Sequence, residues 1–279
     1  MMKGMTNRNQ EELPTFRFTK AKRECLALLA EYFCLRTQDV AQLLRGRTPT
    51  DSDRRSVRYT LALLHAAGLA YRIPYIEYDR EHGATTYVYG LTDRGVKYCA
   101  SLFAYAKPFD EHSRRTLDHE LEISWFHMAL KKFAVKHKLA LYWQQSDLKC
   151  TISPDAMFAL TDPSKPEGKN TLYYFLEIER AKIGHYVNGK PSIINKLARY
   201  YDYYSSDACM KEWNFRQFRT IVVQRNVERS ENLLKELSRQ FNHRTFWLTN
   251  EEAYKQDIAG AIFRTPKDWE KVAYSFITL

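Results

Sequence analysis

Apolar positions recur at helical spacing from Thr19 onward, where Cys25, Leu26, Leu28, Leu29, Tyr32 and Phe33 line one face of a predicted first helix capped by Thr19. A shorter second helix is predicted from Thr37, a capping residue, with Val40, Leu43 and Leu44 turned inward. The basic turn Arg45-Gly-Arg-Thr-Pro-Thr separates it from a third helix. That helix starts near Asp51 and runs through Val57, Leu61, Leu63 and Leu64 to Gly68, a residue suited to a helix C-terminus. The pattern then changes to two β-rich runs, LAYRIPYIEY and TTYVYGLT, joined by the charged loop Asp79-Arg-Glu-His-Gly. Thr92 or Asp93 can cap a further helix carrying Val96, Cys99, Leu102 and Phe103.

Beyond the joint at Lys107-Pro108, a long helix is predicted from about Ser113 to His137, with Ile123, Phe126, Leu130 and Phe133 as its apolar stripe. Strand-like runs follow: LALYWQQ, CTISPDAMFALT, TLYYFLEIER, FRTIVVQ and RTFWLT. A helix from about Ser192 to Tyr204 lies between the third and fourth. On it Leu197, Tyr201 and Tyr204 recur at the spacing of a face packed on a sheet, and Tyr200 and Tyr203 share the other side with Lys196. Three strands in succession exclude a doubly wound parallel fold, in which strand and helix alternate throughout. The expected class is therefore α+β. Residues 1–15 form a polar tail, and 16–107 have the helix–helix–helix–ribbon order of a winged helix-turn-helix. Residues 108–279 form a mixed sheet flanked by helices.

Charge sharpens this picture. The 279 residues carry a formal net charge of +10, which favours a polyanionic partner because basic side chains displace counterions from phosphates; a solvated basic surface would show the same surplus. In the third helix, Arg54, Arg55 and Arg58 stand among Ser52, Ser56 and Thr60, a mixture suited to phosphates and base edges. Lys182 and Lys190 flank a glycine-containing loop and are expected near the DNA path. Five scattered cysteines form no metal-type pair, the first residues have no apolar leader core, and no run is long enough to span a membrane. A cytoplasmic protein without a membrane span is expected.

Two strands carry acids among apolar neighbours. Asp155 follows Pro154, and period-two alternation puts Glu177 and Glu179 on one strand face. Buried carboxylates need a cation or hydrogen bonds, so either a divalent metal such as Mg²⁺ gathers these three acids or the face is solvated. No Gly-rich phosphate loop and no His-x-His cluster is present, which leaves out NTP hydrolysis and the two-histidine relaxases.

Pro154-Asp155 followed by Glu177-Ile178-Glu179 resembles the PD-(D/E)xK nuclease signature, with glutamate where lysine is usual. Together with Asp118-His119-Glu120-Leu121-Glu122 and the N-terminal helices, it is similar to the MobC-type (MOBC) plasmid relaxases and the related replication-relaxation proteins. That resemblance implies a restriction-endonuclease-like second domain that cuts DNA. It implies Mg²⁺ or Mn²⁺ held by Asp155, Glu177 and Glu120, with His119 catalytic or orienting a ligand. Glu179 or Lys196 would assist the attacking water. Taken alone, His119 reads equally as a hydrogen-bonded core histidine and Lys196 as a surface lysine. The implied activity is strand nicking of double-stranded DNA at a plasmid transfer origin, with an auxiliary mobilisation or coupling protein as further partner. The alternative is a non-catalytic winged-helix replication or regulatory protein whose nuclease-like domain is inactive.

Overall fold

The computed structural model describes residues 16–76, 85–100, 106–109, 116–145, 148, 150–180, 193–241 and 243–276. The chain divides into two compact units, Met1–Arg114 and Arg115–Leu279. Lys107 and Pro108 thus fall inside the first unit. The reason is Phe109, whose N–H bonds the Leu91 carbonyl at 2.6 Å and whose buried ring packs on Phe33 and Tyr71.

The first unit opens with α1 (Lys20–Tyr32), β1 (Cys34–Arg36), α2 (Thr37–Arg45) and α3 (Asp51–Ala66). It continues with β2 (Ala70–Ile76), β3 (Thr85–Leu91) and α4 (Asp93–Cys99). Thr19 caps α1 as expected, accepting from the Lys22 N–H. The cap of α2 is Arg36 rather than Thr37, because the Asp39 carboxylate reaches back to the Arg36 N–H at 3.0 Å and binds its guanidinium. Thr50 and Asp53 exchange bonds at the start of α3, and Gly68 (φ +68°) turns the chain out of it in a conformation that glycine adopts without steric cost. The strands form an antiparallel sheet in the order β1-β3-β2. Pro74 is tolerated because β2 is an edge strand. β3, in the centre, has Gly90 where Phe109 crosses: a Cβ there would lie 2.3 Å from that side chain. The loop 77–84 lies outside the described residues, as do Leu102 and Phe103.

The second unit contains α5 (Leu117–Lys136), β4 (Ala140–Gln144), β5 (Ala156–Thr161), β6 (Thr171–Glu179) and α6 (Ile193–Ser205). After these come α7 (Ala208–Trp213), β7 (Phe218–Gln224), α8 (Val227–Gln240), β8 (Phe246–Asn250) and α9 (Glu251–Asp257). The five strands lie in sequence order. β4, β5 and β6 form an antiparallel meander, and β6, β7 and β8 run parallel. The sheet is therefore mixed, as the successive strands required, and the class is α+β.

Alternation along the strands divides the core in two. Phe158, Tyr174, Leu176, Ile178, Val223 and Trp247 pack with Ile123, Phe126, Leu130 and Phe133 of α5 and with Tyr254 of α9. On the opposite face Met157, Phe175, Val222, Phe246 and Leu248 meet α6 and α8. Each such aromatic or aliphatic side chain contributes about 1.5–3 kcal/mol through burial, so both faces need their helices. The tyrosines of α6 are turned the other way from the sequence expectation: Tyr200 and Tyr203 are buried, whereas Tyr201 and Tyr204 are half-buried. Phenol rings can face a core when their hydroxyls find acceptors, and these two bond Glu177 and Glu212. Among the described residues no helix is long and apolar enough to cross a membrane.

Candidate active site

The run expected to be a strand from Cys150 pairs only from Ala156, because Pro154 has no N–H to donate. Asp155 stands just before β5, its N–H bonded to the Leu176 carbonyl at 3.0 Å. Its carboxylate accepts the Ile178 N–H at 2.7 Å, where the β5–β6 ladder has ended. Ala156 pairs with Leu176, so Asp155 comes opposite Glu177, on the face that meets α6. The other neighbour of Glu177 is Val222 of β7. A carboxylate thus lies between an apolar strand and a second acid, only 3% exposed.

Helix α6 supplies the compensation. Lys196 and Tyr200, one turn apart, bond the two oxygens of Glu177 through their ammonium and hydroxyl. Burial, reinforced by the Asp155 charge, nonetheless pushes the Glu177 carboxyl up to about 8 against the pull of Lys196 and Tyr200. The Tyr200 hydroxyl is held well above its usual range by burial and by Glu177.

His119 arrives from the first turn of α5 and reaches Asp155 Oδ2 through Nε2 at 3.1 Å. Its side chain is 30% exposed, so it is not the core histidine that its place before Ile123 also allowed. Burial pulls the imidazole down, but the Asp155 bond and the charges of Asp155, Glu120 and Glu177 carry it above its ordinary value. The next residue, Glu120, accepts from the Gln145 amide at 2.9 Å, at the end of β4.

Asp155, Glu177, His119 and Lys196 are therefore together, with Glu120 near enough for its charge to act on His119. The gathering of three acids at one point is not borne out as drawn: among the described residues no group of three or more His, Cys, Asp or Glu side chains forms a metal-sized cluster. The acids that meet are Asp155 and Glu177. Glu179 shares the face of Glu177 one repeat further on, beside Gln224 of β7. Lys182 and Lys190 lie outside the described residues.

Tyr200, placed from sequence beside Lys196 as a packing or DNA-contacting ring, is a residue whose part in the site sequence reasoning missed: its hydroxyl bonds Glu177. Glu122, 0% exposed among Tyr254, Lys255 and Arg180, is a second such residue.

In the first unit, α3 shows Ser52, Arg55, Ser56, Arg58 and Tyr59 to solvent. Arg54 is more confined, bonded to the Asp51 carboxylate and, at 3.0 Å, to the Pro49 carbonyl. Arg72 of β2 lies over the Tyr87 ring at 5.0 Å, and both Arg72 and Arg58 act on the Tyr89 hydroxyl. Basic groups of helix and ribbon thus share one region.

The sequence model of the replication-relaxation family matches residues 26–216, more than half of the chain, from within α1 to the end of α7, and so includes His119, Asp155, Glu177, Lys196 and Tyr200. The chain belongs to the replication-relaxation family. No curated protein matches it in sequence. Among solved structures it is similar to the restriction endonuclease FokI bound to DNA, at 13% identity and a TM-score of 0.31. That match covers 90% of this chain but 45% of FokI, so this family member spans less than half the length of that enzyme.

Proposed function

We propose that this replication-relaxation protein is a metal-dependent DNA-nicking enzyme of the relaxase type, acting at a plasmid transfer origin. The observation that carries the reading is the pair of opposed carboxyls, Asp155 and Glu177, at the ends of neighbouring central strands with Lys196 and His119 beside them. The second unit is proposed to be a PD-(D/E)xK-type, restriction-endonuclease-like domain. The first, with three helices followed by an antiparallel ribbon, is proposed to be a winged helix that seats Arg55, Arg58 and the ribbon's Arg72 on duplex DNA.

Two oxygen donors for a hard divalent cation, Asp155 and Glu177, stand opposite one another, and among the described residues no third acid is gathered with them. Two carboxyls that repel one another, one of them buried and raised to about 8, form the donor set such an ion relieves. Asp155 and Glu177 would hold Mg²⁺ or Mn²⁺, with Glu120 or Glu179 as a further oxygen donor. Such an ion supplies an activated water and neutralises charge on the phosphodiester. The chain's own groups contribute the rest. Lys196 brings a fixed positive charge to Glu177, the charge that a glutamate at the usual lysine position would otherwise leave out. His119, anchored through Nε2, keeps Nδ1 as the nitrogen not spent on Asp155 and can exchange a proton there.

With supercoiled DNA bearing the cognate origin and Mg²⁺ or Mn²⁺, the wild type is expected to give open circles. Asp155→Ala should slow this on the order of a thousandfold while still binding DNA. Arg55→Ala and Arg58→Ala should instead weaken binding, each lowering the slope of log affinity against log salt by about 1.

A second reading rests on the full occupation of Glu177 by Lys196 and Tyr200: a protein that binds DNA without cutting it. Binding with no open circles under either metal would establish that reading and end the first.

A further inference from the structure

The first turns of α5 touch the ends of three strands. His119 bonds Asp155 at the start of β5, and Glu120 takes the Gln145 amide at the end of β4. Glu122 takes Arg180 Nη1 at 3.1 Å, one residue past Glu179 at the end of β6. Glu122 is the most buried of these groups, at 0% exposure, and it is also bonded by Lys255 Nζ at 2.9 Å and by the Tyr254 hydroxyl. Glu251 completes the cluster by pairing with both Arg180 and Lys255. Two acids and two bases cancel, and they tie α5, β6 and α9 together.

Stability alone is a poor account of such a cluster. Apolar side chains of similar volume commonly hold a fold as well as buried ion pairs do, because the pairs must offset the loss of hydration. What the cluster adds is direction: short, charge-assisted bonds fix where one element sits on another. We infer that Glu122 is a positioning residue, which by gripping Arg180 and Lys255 sets the register of α5 against β6 and so brings His119 onto Asp155 beside Glu177. The inference rests on the nicking reading for its consequence, but the grip itself is a property of the fold.

The test uses the full chain and three variants: Glu122→Gln, His119→Ala and their combination. Leu237→Ala, in the core on the opposite face, serves as a control for general loss of stability. Single-turnover nicking of supercoiled plasmid in Mn²⁺ should fall about 10- to 100-fold in Glu122→Gln with DNA affinity unchanged. In the His119→Ala background the same substitution should make no further difference, because residues acting as one unit are not additive. Leu237→Ala should stay within about twofold of wild type wherever it is folded.

Amide hydrogen exchange, in metal-free buffer, reads the grip without any activity. Glu122→Gln should speed exchange at Ile178, whose N–H is held by Asp155, at least about tenfold beyond the change in the other β6 amides. Leu237→Ala should raise exchange evenly. A wild-type nicking rate in Glu122→Gln, or an unchanged multiplicative loss on top of His119→Ala, overturns the inference and leaves the nicking reading intact. If the wild type does not nick, the nicking reading falls and exchange at Ile178 decides: local loss of protection supports the grip, an even change overturns it. Should Glu122→Gln not fold, Lys255→Met, which removes one of the gripping bases, takes its place in both measurements.

Discussion

Glu177→Gln is expected to stop strand nicking and yet leave the second unit more stable than wild type at alkaline pH. The carboxyl is raised to about 8 in the fold, first by burial and then by the Asp155 charge, whereas in the unfolded chain it ionises in the ordinary glutamate range. Between roughly pH 4.5 and 8 the folded state therefore holds a proton that the unfolded state has released. The stability that Glu177 lends is complete below its unfolded value and is lost as pH rises through the folded one. Glutamine keeps the shape of the protonated acid and has no proton to lose. Denaturant curves in metal-free buffer should nearly coincide at pH 5 and separate by about 1–4 kcal/mol at pH 8.5, with the glutamine protein the more stable. The same variant, given Mn²⁺ and plasmid, should lose activity by on the order of 10²–10⁴-fold. Curves that keep a constant spacing across this range would mean that Lys196 holds Glu177 ionised throughout.

The largest loss of stability is expected from Phe158→Ala. Phe158 is fully buried on β5, stacked on Tyr174 at 4.7 Å and on Trp143 at 5.9 Å, with Phe126 and Phe276 within 6.3 Å. Removing the ring deletes contacts to both neighbouring strands and to α5, and rigid aromatic neighbours cannot collapse into the space. A cost of about 3–5 kcal/mol follows, or a fall in Tm of about 10 °C in calorimetry. Val135→Ala, on the exposed side of α5 (74% exposed), should change stability by less than about 0.5 kcal/mol. Equal losses at the two positions would contradict the layered core.

Where the sequence was legible, one face of an element was plainly apolar. The α5 stripe, the helix starts at Thr19 and Thr92, and the β5–β6 alternation needed only periodicity and caps. Among the elements that went unread, two were missed for opposite reasons. β1 is three residues long, too short to show alternation, and is a strand only because β3 pairs with it. Helix α8 has Asn226 as a cap and Leu233, Leu234 and Leu237 at helical spacing, so its signal was present beside two stronger strand runs. The tyrosines of α6 were misassigned because hydrophobicity does not say which phenol has an acceptor waiting. That depends on Glu177 and Glu212, which lie 23 and 9 residues away. At the site, the pattern named Asp155, Glu177, His119 and Lys196. It did not show that Lys196 and Tyr200 divide the two oxygens of Glu177, since side-chain pairing across a helix and a sheet leaves no mark in either alone.

β6 is the strand at which the sheet changes from antiparallel to parallel, and that has a consequence during synthesis. A ribosome emits the meander β4–β5–β6 first, and its hairpin connections let it pair at once. β7 can dock on β6 only after the long crossover bearing α6 and α7 has also emerged. Glu177 meets Lys196 and Tyr200 only once α6, the first part of that crossover, has folded back over β6; before that it faces water. A nascent chain halted before residue 193 thus displays Asp155 and Glu177 without their enclosure, and the candidate site is whole only after α6 has joined the meander.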